Sequence, residues 1–87
     1  MKVAVYDTYV IKKDGSVMHF DIIVPVENKD VKGIHNFGHK YLSDKKQEGQ
    51  PLTAKECRFC HVEEVRPAWE EAIEQNGYYI YEMEGCN

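Results

Sequence analysis

The dipeptide Asp14-Gly15 constrains this chain more than any other feature, because it stands between two runs in which apolar residues alternate. A two-residue Asp-Gly loop supplies the positive φ angles of a type I′ turn, so the flanking runs are predicted to fold back as an antiparallel hairpin. Setting Lys13 opposite Ser16 determines the register. Ile11 then faces Met18, Tyr9 faces Phe20, Val5 faces Val24 and Val3 faces Val26, all on one side of the ribbon. That side is apolar except at Asp7, opposite Ile22, where an unpaired carboxylate is costly. It calls for a tyrosine hydroxyl, Arg58 or Arg66 as partner, or for a bulge that turns Asp7 outward. The reverse side is mixed, with Ala4, Tyr6, Thr8, Val10, His19, Asp21 and Ile23. Thr8 sits there across from Asp21, with His19 two residues along. Tyr6, Thr8, His19 and Asp21 are therefore candidate binding residues on an open sheet face, although cross-strand hydrogen bonds on a solvated sheet are the plainer account of the same residues.

Beyond Pro25 the period lengthens to that of a helix. Val31, Ile34, Phe37, Gly38, Tyr41 and Leu42 share one stripe, with Asn28 as the expected cap and Gly33 and Gly38 as weak points. Ser43 to Gln50 is polar without a period and reads as a loop, and a short third strand is expected around Leu52 to Phe59. Pro67 suits a first helical turn, Val65, Trp69, Ala72, Ile73 and Asn76 line one face, and Asn76-Gly77 is a stop signal before a last strand from Tyr78 to Met83. The order β-β-α-β-α-β predicts an α+β fold, a two-layer sandwich in which a mixed four-stranded sheet carries both helices on the apolar hairpin face. The third and fourth strands are expected to run parallel through a right-handed crossover. The whole chain, 1–87, forms a single domain on this reading.

Fifteen acids against eleven bases leave a net charge of -4, and the lysines are interleaved with acids or glutamine, so no nucleic acid is an expected partner. No run approaches the roughly 18 apolar residues of a membrane helix, and the opening M-K-V-A-V-Y-D-T-Y-V lacks a signal-peptide pattern. The expected location is the cytoplasm, with no membrane partner. Three cysteines, an odd number, cannot form a complete disulfide framework, and a reducing compartment keeps them as thiols.

Chemistry is most visible in E-C-R-F-C-H-V-E-E, residues 56–64. Cys57-Arg58-Phe59-Cys60-His61 matches the C-x-x-C-H attachment sequence of c-type haem, but without an export signal the match reads as coincidence. Zinc suits two thiolates and an imidazole better. If a strand-to-helix turn lets these side chains converge, Cys57, Cys60 and His61 supply three ligands and Cys86 a fourth, with His19 or the helical pair His35 and His39 as substitutes. Side chains at 57 and 60 point to opposite faces of a straight strand, however, and small buried thiols are ordinary core residues, so the cysteines are read first as structural, with no cofactor required. A redox pair is opposed by Glu56, Glu63 and Glu64, which disfavour a thiolate, and the order of elements is not thioredoxin-like. There is no nucleophile-elbow serine and no Gly-rich phosphate loop.

Four blocks, Y-D-T-Y-V (6–10), D-G-S-V-M-H-F-D (14–21), E-C-R-F-C-H (56–61) and N-G-Y-Y-I-Y-E-M-E-G-C-N (76–87), together resemble a small bacterial family known only as a domain of unknown function. The resemblance spans both ends and the middle and omits the first helix and the loop after it. It implies a small standalone α+β domain and carries over no activity, substrate or cofactor. The expectation is a non-enzymatic binding or interaction module that uses Tyr6, Thr8, His19 and Asp21 toward a protein or small-molecule partner, with a homodimer as one form of that interaction. The alternative is a zinc or thiol-redox protein centred on Cys57, Cys60 and His61.

Overall fold

A computed structural model of the chain describes residues 1–86; Asn87, which ends the C-terminal block, lies outside them. The elements follow the expected order: β1 Lys2–Ile11, β2 Val17–Pro25, α1 Val31–Asp44, β3 Cys57–Glu64, α2 Pro67–Asn76 and β4 Tyr79–Glu84. The α+β class therefore holds, while the arrangement of its layers differs from expectation.

The difference begins at the hairpin. Its loop holds three residues, Lys13, Asp14 and Gly15, closed by Lys12 N–H donating to Ser16 O at 2.7 Å and Gly15 N–H donating to Lys12 O at 2.9 Å. Gly15 takes the left-handed conformation, φ 88°, that a three-residue loop with a bulge requires. Asp14 secures this longer loop by accepting from the Ser16 amide at 2.9 Å and the Ser16 hydroxyl at 2.6 Å. The extra loop residue moves the register by one, so Ile11 pairs with Val17, Tyr9 with His19, Thr8 with Phe20, Asp7 with Asp21 and Val5 with Ile23. Because side chains alternate, a slip of one exchanges faces. Tyr9 and Phe20, expected side by side, lie on opposite faces.

Both faces are consequently apolar in part, and each takes a helix. Ala4, Val10, Met18, Phe20, Ile22 and Val24 form one core with Ile34, Tyr41 and Leu42 of α1 and with Leu52. Val3, Val5 and Ile23 form a second, smaller core with Trp69 and Ile73 of α2. The helices thus cover opposite faces, not one face as expected, and the sheet lies between them. The strand order is β3-β1-β2-β4, antiparallel throughout, which corrects the mixed sheet and the parallel crossover. The hairpin left two free edges, and β3 and β4 took one each. Ten-residue α2 bridges them, since about 15 Å of helix matches about 14 Å between the outer strands of a four-stranded sheet.

Asp30, not Asn28, caps α1, accepting from Gly33 N–H at 3.1 Å, while Asn28 accepts from Asp30 N–H at 2.9 Å. The helix runs on to Asp44, past the expected start of the loop. Gly38 permits its close approach to the sheet: a Cβ there would sit 2.5 Å from Leu52 Cδ1 and 3.1 Å from Ile22 Cδ1. Residues 53–56 form a turn in which Glu56 accepts from the Thr53 amide and hydroxyl at 2.8 Å each. The third strand therefore starts at Cys57 and contains the entire Cys-Cys-His segment, with a bulge where Val5 pairs with His61 and Tyr6 with Phe59. Pro67 opens α2 and Gly77, φ 89°, ends it, as expected. No helix of the described residues is long and apolar enough to cross a membrane.

Candidate functional site

The register that splits the hairpin's apolar flank also gathers its polar residues. Asp7, His19 and Asp21 all point to the α2 face, just beyond Val5 and Ile23, which α2 covers. His19 Nε2 lies 2.5 Å from Asp7 Oδ1, with the two side chains only 15% and 35% exposed. Tyr9, the cross-strand neighbour of His19, stacks on its ring at 4.0 Å and 13° and so holds the imidazole plane. Among the described residues, Asp7, His19 and Asp21 form a group whose potential ligand atoms lie within 4.8 Å of one another. The Asp21 carboxyl is pushed up to about 6, first by burial and then by the adjacent Asp7. Burial, followed by the charges of Asp7, Asp21 and Glu84, raises the Tyr9 phenol as well.

The four expected binding residues are divided by the same register. His19 and Asp21 belong to the group, but Tyr6 and Thr8 project to the α1 face. Thr8 is fully buried and donates to Tyr6 O at 3.3 Å, and Tyr6 packs edge-on against Phe59 at 5.8 Å. Asp7 finds its partner in His19, not in a tyrosine hydroxyl, Arg58 or Arg66. Arg66 instead lies over Trp69 at 4.5 Å and pairs with Glu63 at 3.5 Å. Asp7 stood out in the sequence as a costly carboxylate, and correct pairing with residue 21 was the signal that would have completed the triad.

Cys57, Cys60, His61 and Cys86 are not brought together among the described residues. All three thiols are free. Cys57 is buried beside Thr8 on the α1 face, and burial pushes its thiol up, away from the thiolate that metal needs. Cys60 is exposed at the bulge. His61 Nδ1 is 3.2 Å from Cys60 Sγ, and Nε2 is 2.5 Å from Glu63. Cys86 is buried and donates to His19 O at 3.5 Å and Glu84 O at 3.4 Å, fastening the chain end behind β2. The convergence on which the zinc alternative depends needs a strand-to-helix turn, and residues 57–64 form a strand.

A cleft of about 440 Å³ lies toward the hairpin loop, lined by Tyr9, Val10, Ile11, Val17, Pro51, Lys55 and Glu56. Tyr9 is common to this cleft and to the His19 stack, so the two regions adjoin. Cys60 and His61 do not line it.

A family model described as Domain of unknown function (DUF2024) matches residues 1–83. Among solved structures, the chain is similar to the NMR structure of protein NE1680 from Nitrosomonas europaea, a structural genomics target. The two are 50% identical over 100% of each chain, with a TM-score of 0.86. No curated protein matches the chain.

Proposed function

The chain belongs to the DUF2024 family, a domain of unknown function, and from its geometry we propose a non-enzymatic binding module that holds a divalent transition-metal ion between Asp7, His19 and Asp21. The observation that carries this reading is the approach of two carboxylates and an imidazole to within 4.8 Å of one another. One nitrogen and two oxygens suit Zn²⁺, Co²⁺ or Mn²⁺, whereas Ca²⁺ and Mg²⁺ favour all-oxygen shells. Three protein ligands leave coordination positions for a further group, and the cleft shared through Tyr9 offers apolar surface beside them. On this reading the bound metal presents a small-molecule or protein partner. The same proposal places the protein in the cytoplasm, with its thiols reduced, and a net charge of -4 argues against nucleic acid.

Calorimetric titration of untagged protein with ZnCl₂ tests the proposal. One equivalent should bind, with affinity lost in His19→Ala and Asp21→Asn and retained in His39→Asn and Cys60→Ser. Binding that survives His19→Ala, or that disappears with Cys60→Ser, contradicts it.

A further inference from the structure

β3 is an edge strand, and among the described residues no strand pairs with its outer side. Arg58, Phe59, Cys60, His61 and Val62 are consecutive exposed residues, with Phe59 57% and Val62 43% exposed. An open edge presents unpaired amides and carbonyls to any strand that can match it. The other edge, β4, carries Glu82 and Glu84 and no cation of its own, so pairing with itself brings carboxylates together. β3 carries both signs.

We propose that β3 recognises a second copy of itself, two strands pairing antiparallel about a two-fold axis between Cys60 and His61 and joining two four-stranded sheets edge to edge. The bulge selects the register. Pairing with β1 sends Arg58, His61 and Glu63 to the α2 face and Phe59 and Val62 to the α1 face. Side-chain alternation therefore switches at Cys60, and strands crossing the bulge match face to face only where an odd-numbered residue meets an even-numbered one. Centred between Cys60 and His61, that rule sets Arg58 against the partner copy's Glu63 on one face and Phe59 against the partner copy's Val62 on the other. Opposite charges and an aromatic–β-branched pair are the cross-strand combinations that stabilise antiparallel ladders. Each occurs twice, as an isologous contact demands. Pairing along one short edge gives a small interface, so the dimer is concentration-dependent. It is independent of the metal proposal because none of Asp7, His19 and Asp21 takes part.

Sedimentation equilibrium of the full chain at rising concentration tests the pairing. Wild type should pass from monomer to dimer, while Arg58→Glu and Glu63→Arg should each remain monomeric. Mixed in equal amounts, the two variants should form a heterodimer, since each then meets the opposite charge at both positions. Glu63 also holds His61 and Arg66, so Phe59→Asp, which touches neither, serves as a second variant and should likewise be monomeric. A wild-type monomer at the highest soluble concentration, or a dimer that survives Phe59→Asp, overturns the proposal.

Discussion

Asp21 carries a proton in the folded chain at pH values where it has lost it in the unfolded one, because burial and Asp7 push its carboxyl up to about 6 from 3.8. The native state thus binds more protons between those values, and its stability from this group is present at low pH and falls as pH rises toward about 6. With chelator present, urea denaturation should show a steeper loss of stability from pH 4 to pH 6 in wild type than in Asp21→Asn; equal slopes contradict the assignment. Gly38→Ala should destabilise by about 1–3 kcal/mol, read from the same denaturation curves, because the added methyl meets buried Leu52 and Ile22. Among the thiols, a native disulfide-exchange reagent should titrate exposed Cys60 quickly and reach Cys57 and Cys86 only after unfolding.

At the scale of elements, α1 rests on a cap that the sequence placed two residues early. Asp30→Ala should cost about 1 kcal/mol in thermal or urea unfolding. Helices were legible because a wide apolar stripe, Pro67 and Gly77 each have one dominant meaning. The hairpin was legible as a hairpin but not in register, since Asp-Gly serves a two-residue turn and also a three-residue loop with a bulge, and here the Asp14 contacts to Ser16 help to hold the longer one. A second signal was present in the runs Val3-Ala4-Val5 and Ile22-Ile23-Val24. Unbroken apolar triplets are the mark of strands covered on both faces, and a one-sided hairpin leaves part of each triplet exposed. β3 begins later than the sequence pattern predicts, because an edge strand exposed on both faces has little alternation to read.

For the whole molecule, one additional loop residue decides both architecture and site. It distributes apolar residues between two faces, draws a helix onto each, and sets Asp7, His19 and Asp21 together where α2 ends its cover. Half of the expected binding set, His19 and Asp21, belongs to that site, while Tyr6 and Thr8 fall on the far face for the same reason. The Cys-Cys-His segment lies on the edge strand β3. The electronic spectrum of the Co²⁺-loaded protein tests this account most directly, because cobalt reports its ligands. Weak visible bands without thiolate-to-cobalt charge transfer, abolished by His19→Ala, are the predicted result. An intense near-ultraviolet thiolate band that disappears with Cys60→Ser would contradict it.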